Sequence, residues 1–231
     1  MVKVVVNVLK WVLCMFATVL LNACASNVVS IESEDSVSFT TLETTIPLSS
    51  DGILTLKLRG SRTSGDYSQA VPDGMMILID DIQIRGPAEV TGSTDLTYAS
   101  ASIGVEGEFG KDERVQGLLY LGVAQTNMDL TLIHEGTTYV TNDRTTEMYM
   151  QWGLSYEIVP SLWGGGTWAL SLGPDLTGIK EIDLQLKYAL FAHLEILGGY
   201  RWLKYDYLVE DDESIIRIDF NGPFIGLSVP F

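Results

Sequence analysis

The residues that could carry enzyme chemistry are two histidines and a pair of serines. His134 and His193 are the only histidines in the sequence, and a nucleophilic serine would need one of them as its base. Ser100 and Ser102 share a parity with Glu106, but no histidine lies in that stretch. The spacing provides no triad, so we expect no enzymatic activity and no catalytic residue.

Two groups of carboxylates are candidates for cation binding. Glu210 to Glu213 are four consecutive acids, and Asp80 and Asp81 lie in the region 65–94. A calcium loop requires ligands at alternate positions and a glycine at its turn, and neither group has that pattern. We therefore predict solvated loops, with no metal ligand and no cofactor.

The N-terminus predicts export. Lys3 and Lys10 are followed by the apolar stretch 11–21 and then by Ala23-Cys24-Ala25, which is the pattern of a secretory signal peptide. Cleavage after Ala25 follows the A-x-A rule. Cleavage after Ala23 would instead leave Cys24 as a lipidated first residue. The domain prediction is a signal peptide over 1–25, a segment of unassigned place over 26–50, and one domain over 51–231.

The composition narrows the classes of function. Hydrophobic residues make up 46% of the 231-residue chain and charged residues 19%, which is enough apolar material for a packed fold. The formal net charge of -16 argues against a nucleic-acid partner, since no excess of cations is available to neutralise phosphates. No stretch beyond the leader has the length of a transmembrane helix, so a spanning protein would have to be a barrel.

Alternation with a period of two dominates the rest of the chain. Between residues 147 and 158 the even positions are all large and apolar, whereas most odd positions are polar or small. Seven other segments repeat this pattern, and an antiparallel up-and-down β-barrel of eight strands follows, with ten as the alternative. The predicted strands are 53–64, 95–109, 115–133, 146–158, 164–173, 180–190, 193–208 and 214–231. Such lengths suit strands that cross a bilayer at a tilt.

Two strands change parity along their length. Within 115–134 the apolar positions switch near Gln125, which predicts either a bulge or emergence from a membrane. In the last strand the switch falls at Asn221-Gly222-Pro223, and there a bulge would restore one apolar face.

The lengths of the connections predict a barrel with short turns at one end and long loops at the other. Those at 110–114, 160–163 and 191–192 are short, and those at 65–94 and 134–145 are long. Residues 75–84 either cap the first long loop or pair with 37–47 to give ten strands. Five aromatic residues fall at the short-turn end and predict a girdle at one interface. They are Phe109, Tyr156, Trp163, Tyr188 and Phe231.

The C-terminal segment resembles that of a known group of proteins. Ile225, Leu227, Val229 and Phe231 alternate up to a terminal phenylalanine, and this resembles the closing strand of Gram-negative outer-membrane β-barrel proteins. The segment Gly198-Gly199-Tyr200-Arg201-Trp202 is likewise similar to the penultimate strand of small barrels in this superfamily. The resemblance implies an outer-membrane location, lipid and lipopolysaccharide as surroundings, and the barrel-assembly machinery as a partner during biogenesis.

If the apolar faces contact lipid, the interior receives a set of charged side chains that would pair into a plug. The predicted lumen network is Lys57, Arg59, Glu106, Glu108, Glu147, Glu157, Asp183, Lys187, Glu195, Arg201, Arg217 and Asp219. The pattern itself leaves open which face is inside.

Three functions therefore stay open. The first is a structural or surface-interaction barrel with a plugged lumen, whose acidic loops share bridging divalent cations with lipopolysaccharide phosphates. The second is a barrel that binds or passes small hydrophobic compounds through a lateral gap at Gly164–Gly166. The third is a lipid-anchored periplasmic, lipocalin-like barrel whose apolar faces point inward around a ligand.

Overall fold

The computed structural model describes residues 28–32, 37–74, 76–79, 82–109, 114–172, 178–209 and 214–231. The strands in these ranges are β1 (Val28–Glu32), β2 (Phe39–Pro47), β3 (Leu54–Val71), β4 (Met76–Ile79), β5 (Ile82–Arg85), β6 (Ala88–Phe109), β7 (Val115–His134), β8 (Thr137–Val159), β9 (Leu162–Leu172), β10 (Gly178–Phe191), β11 (Leu194–Val209) and β12 (Ser214–Pro230). Within the described part of the chain, no helix is long and apolar enough to cross a membrane. The predicted signal peptide, Cys24, Asp80, Asp81 and Glu210 to Glu213 lie outside the described residues.

The all-β barrel is confirmed, but the number of strands is not eight. Among the described residues, nine strands form a closed barrel in the order β2, β3, β6, β7, β8, β9, β10, β11 and β12. Neighbours pair antiparallel up to β12, which then closes the barrel by pairing in parallel with β2. The ninth strand is thus β2, within the range 37–47 that the ten-strand alternative paired with 75–84; it pairs instead with β3 and β12. Both even strand counts were wrong.

The predicted bulge at Asn221-Gly222-Pro223 was also wrong. The pairing of β11 with β12 runs without a register shift from Glu195↔Ser228 to Val209↔Ser214. A glycine is needed at position 222 because the backbone of Val37 approaches it closely. Val37 donates to the carbonyl of Asn221, and a Cβ on Gly222 would lie 1.7 Å from the Val37 carbonyl oxygen. Pro223 falls in the stretch of β12 between its pairings with β1 and with β2.

The two predicted long loops are largely strand. Residues 65–71 and 88–94 continue β3 and β6 as a paired ladder, and 137–145 belongs to β8. The connection from β7 to β8 is a tight turn at Glu135 and Gly136, whose φ values of 50° and 77° fit a two-residue hairpin. Between β3 and β6, strands β4 and β5 pair only with each other, so 75–84 does not add a tenth strand to the barrel.

Strand β7 explains the parity change near Gln125. Its pairings with β6 and β8 contain no bulge, so the even residues from Leu118 to Leu132 all point into the barrel. Below Gln125 the outward residues are apolar, as at Leu121, and above it they are polar, as at Asp129. The strand register is unchanged along β7, so each side chain stays inward or outward as its parity requires, but the polarity of each face reverses near Gln125.

The same reversal occurs around the barrel, and it places most of the packed core at the end opposite to the connections 110–114, 160–163 and 191–192. The buried apolar residues form one cluster, which extends from that end down to Leu197, the ladder partner of Lys187. Its members are Val37, Phe39, Tyr67, Val71, Ile84, Val90, Leu96, Tyr98, Met128, Leu130, Leu132, Ile179, Leu197, Leu203, Tyr205, Ile218, Phe220 and Phe224. We call this cluster the upper core. Ile84 comes from β5, so the β4–β5 hairpin folds onto the barrel end and covers it.

The packing of the upper core leads to a first testable prediction. Leu130→Ala removes a fully buried side chain from this cluster and should lower the free energy of unfolding by about 2–5 kcal/mol. Ile133→Ala is the matched control on the same strand, because Ile133 faces outward and is exposed; it should cost less than about 1 kcal/mol. Urea unfolding of the purified protein measures both. Equal losses would mean that the upper interior is not packed.

Candidate functional site

The outer face of the lower barrel is an apolar belt. In the lower part of every barrel strand except β9 the outward positions carry large hydrophobic side chains that are mostly 40–70% exposed. We define the belt by these residues: Leu42, Leu54, Leu58, Ile103, Val105, Leu121, Val123, Met148, Leu154, Ile158, Ile182, Leu184, Leu186, Leu190, Ile196, Ile225 and Leu227. Ile225 and Leu227, from the C-terminal pattern, lie within it. A belt with members on eight of the nine barrel strands is far larger than the scattered exposed apolar residues of an ordinary surface.

Most of the predicted aromatic girdle lies at the lower edge of the belt. Tyr156, Tyr188 and Phe231 are each about half exposed or more at the short-turn end, and Phe191 joins them. Trp163 does not belong to the girdle, since it shares the parity of the buried Thr167 on β9 and faces the inside of the barrel. The side chain of Phe109 lies outside the described residues.

Behind the belt, four charged side chains form a buried cluster at the centre of the lumen. The guanidinium of Arg201 makes two hydrogen bonds to the carboxylate of Asp183, at 2.7 and 2.8 Å. Arg59 contacts Asp183 at 3.0 Å and Glu181 at 2.7 Å. All four side chains are at most 3% exposed. Two positive and two negative groups therefore compensate each other in this charge cluster.

Neutral partners complete the surroundings of Arg201. Its Nη1 donates to Ser61 at 2.6 Å and to Thr41 at 3.2 Å. The rings of Phe39 and Phe224 lie 5.2 and 4.8 Å from its guanidinium carbon. These aromatic rings belong to the upper core, so the charge cluster and the core pack directly against each other inside the barrel.

Below the cluster, charged residues pair one by one. Lys57 contacts Glu43 at 3.2 Å, and Lys187 lies 3.7 Å from Glu195. Glu106 accepts a 2.7 Å hydrogen bond from the Tyr120 hydroxyl. These side chains border a cavity of about 380 Å³ at the short-turn end, which we call the vestibule.

The predicted lumen network is therefore placed as follows. Arg59, Asp183 and Arg201 meet in the charge cluster, and Lys57, Glu106, Lys187 and Glu195 border the vestibule. Glu147 faces inward at a higher level and accepts a hydrogen bond from Ser171. Glu108 and Glu157 lie near the short turns and contribute to neither group.

Sequence reasoning missed two of the carboxylates that complete these pairs. Glu181 shares the parity of Asp183 and lies at the start of the same strand, so a longer reading of that alternation could have found it. Glu43 lies in β2, where threonines occur on both faces and leave no clear alternation.

Arg217 and Asp219 correct the predicted network, because they do not face the lumen. The uninterrupted register of β12 puts them on the same outward face as Ile225. There they join outward-facing polar residues that lie directly above the belt on seven of the nine barrel strands. We call this set the collar: Arg62, Asp95, Gln125, Asn127, Asp129, Asn142, Arg144, Lys180, Lys204, Asp206, Arg217 and Asp219.

One carboxylate of the collar has a perturbed pKa. Burial of Asp206 would raise its pKa, but hydrogen bonds from Arg217 and Lys180 outweigh burial and hold the pKa below its usual range. The ionised form is therefore favoured in the folded protein. The stability that Asp206 contributes is present above the ordinary aspartate pKa and is lost as the pH falls through the lowered value.

Asp206→Asn tests this linkage. At pH 7 the substitution should lower the free energy of unfolding by about 1–2 kcal/mol, because two charge-assisted contacts lose their anion. The difference from the wild type should shrink as the pH falls below about 4. Unfolding curves recorded between pH 7 and pH 3 measure it. A difference that is independent of pH would contradict the assigned role of the carboxylate.

The residues considered for catalysis remain apart. His134 and His193 are on opposite ends of the barrel, next to the backbone carbonyls of Glu89 and Pro230. Ser100 and Ser102 are buried on the lumen face, and no histidine joins them. In the part of the chain that the structure describes, no three His, Cys, Asp or Glu side chains are grouped to hold a metal ion.

Comparisons with known proteins identify no relative, so function is inferred from the fold and from the polarity of its two faces. A scan against models of protein families found no match, and searches of curated proteins and of solved structures found no similar chain.

Proposed function

We propose that this chain is an outer-membrane β-barrel protein with a closed lumen, whose role is structural or to interact with other molecules at the surface. The observation that carries the proposal is the polarity of the lower barrel, which is apolar outside and charged inside. Exposed aliphatic side chains on eight of the nine barrel strands are unfavourable in water and favourable in a bilayer. The belt supplies the lipid-facing surface, and the charge cluster supplies the plug.

The height of the belt fits a bilayer. On β8 the outward apolar residues extend from Met148 to Ile158, which are ten residue steps apart. At about 3.4 Å per residue and a tilt of about 45°, this stretch spans roughly 24 Å along the membrane normal. Outer-membrane barrels have an apolar band of about 25 Å. The collar above the belt would then lie at the level of the lipid headgroups.

The other two functions receive less support. A lipocalin-like protein needs apolar inner faces around a ligand cavity, but behind the belt the inner faces carry Arg59, Asp183 and Arg201. A lateral gap at Gly164–Gly166 is not supported either, since these glycines pair on both sides with β8 and β10. Passage of hydrophobic compounds would require this ladder to open.

Heat-modifiability and membrane extraction test the proposal. Folded protein in detergent-extracted outer membranes should migrate differently on a gel before and after boiling. It should also stay in the membrane fraction after carbonate treatment. Cys24→Ser should behave in the same way, because the belt rather than a lipid holds the protein. Release by carbonate, or a soluble Cys24→Ser variant, would contradict the proposal and favour a lipid-anchored periplasmic protein.

The closed lumen has a separate readout. In planar lipid bilayers the purified protein should show no stable open-channel conductance, because the charge cluster and the upper core fill the barrel above the vestibule. A persistent open state of the wild type would contradict a plugged lumen and favour a transport role.

A further inference from the structure

One sector of the collar presents cations outward over carboxylates that are less exposed than the cations. On β10, β11 and β12 the side chains of Lys180, Lys204 and Arg217 are 39%, 52% and 30% exposed. Their acidic partners Asp206 and Asp219 are 2% and 19% exposed. The carboxylates thus lie beneath the cations, and the outer surface of this sector is positively charged in a protein of net charge -16.

The contacts within the sector fix the cations and leave donors free for an external ligand. Arg217 makes two hydrogen bonds to Asp206, at 2.7 and 3.1 Å, and Lys180 donates to the same carboxylate. Lys204 contacts Asp219 at 3.2 Å. An ammonium group has three donors, and among the described residues each lysine contacts one carboxylate, so each can also donate to an external acceptor.

The position of the sector indicates the kind of ligand. Lys204 follows Trp202 by two residues on the outward face of β11, about 7 Å farther along the strand. The ring of Trp202 is exposed and contacts that of Tyr200. Aromatic rings of this kind mark the boundary between the apolar layer and the headgroups, so the three cations lie where lipid phosphates begin.

We propose that Lys180, Lys204 and Arg217 bind the phosphate group of a lipid in the leaflet that surrounds the upper edge of the belt. This inference rests on the proposed function, because only a membrane-embedded belt brings headgroups to the collar. The lipid tails would lie along the belt below, next to Trp202. The phosphate would accept hydrogen bonds from the three cationic groups directly, without a bridging metal ion.

The experiment compares two variants with the same change in net charge. Lys180→Gln/Lys204→Gln removes two cations of the sector and leaves Arg217 to hold Asp206. Arg62→Gln/Arg144→Gln removes two collar cations from β3 and β8 and is the matched control. Heat-modifiability shows that each variant is folded. Affinity is measured by titrating detergent-solubilised protein with a fluorescent, bisphosphorylated lipid A in the presence of EDTA.

The expected result is that the lysine variant binds this lipid about tenfold or more weakly, and the arginine variant less than about twofold more weakly. Equal weakening of both variants would mean attraction by net charge alone and would overturn the site. Loss of wild-type binding in EDTA would favour metal bridges and overturn direct contact. Displacement of the lipid by an equal concentration of inorganic phosphate would indicate a site for free anions and would also overturn it. Failure of the proposed function itself would appear separately, as release of the wild type from membranes by carbonate.

Discussion

Arg201→Met should be among the most destabilising single substitutions in this protein. The change removes the partner that makes two hydrogen bonds to Asp183 and leaves two buried carboxylates with only Arg59 to compensate them. Removal of one member of a buried ion pair typically costs about 3–5 kcal/mol, because the remaining charge is neither solvated nor paired. Urea unfolding in detergent micelles, followed by the loss of the heat-modifiable band, measures the free energy of unfolding.

Two controls separate the charge effect from loss of packing. Lys187→Met removes a cation of the same lumen whose contact with Glu195 is longer and partly exposed, and it should cost less than about 1 kcal/mol. The double variant Arg201→Met/Asp183→Leu removes charges of both signs and should recover part of the lost stability. A single Arg201→Met variant that is as stable as the Lys187→Met variant would contradict the plug.

Leu184→Arg should be strongly destabilising in lipid, although Leu184 is 54% exposed. It lies in the middle of the belt on β10, where an arginine would face the hydrocarbon of the bilayer. At such a position the cost is about 2–4 kcal/mol. The same change on a surface that faces water would be close to neutral. The measurement is the free energy of unfolding of the protein reconstituted in phospholipid vesicles.

Thr131→Arg is the matched control for the belt. Thr131 faces outward on β7, but it lies above Gln125, where the outer face is polar. We expect this variant to lie within about 0.5 kcal/mol of the wild type. If Leu184→Arg is as mild as Thr131→Arg in vesicles, the belt does not contact lipid.

The sequence allowed prediction of the lower strands because each has one apolar and one polar face. Tyr156 and Leu186 fell on the correct face through alternation alone, and the polar interior followed once the apolar faces were turned outward. The sequence could not show whether the apolar faces point outward or into the barrel, since a period of two is the same for a lipid-facing and a core-facing strand. The burial of Arg201 behind exposed leucines makes that distinction.

The errors have two physical causes. Above the belt the polarity of both faces reverses, so the apolar residues change parity along a strand that continues. This change led to the wrong predictions of a bulge at Gly222 and of a long loop at 134–145. The favoured eight strands left out β2, because it is short, has threonines on both faces, and is stabilised by parallel pairing with β12, which is about 185 residues away along the chain. Pairing between the two ends of the chain leaves no local signal.

The most direct test of the central claim is a scan of nitroxide spin labels along β10, from position 182 to 190, in Cys24→Ser protein reconstituted in phospholipid vesicles. Labels at even positions, such as 184 and 186, should collide frequently with oxygen dissolved in the bilayer and rarely with a water-soluble nickel complex. Labels at odd positions, such as 183, should be immobile and protected from oxygen. The opposite pattern, or access of the nickel complex to the even positions, would contradict an apolar belt that faces lipid around a plugged polar interior.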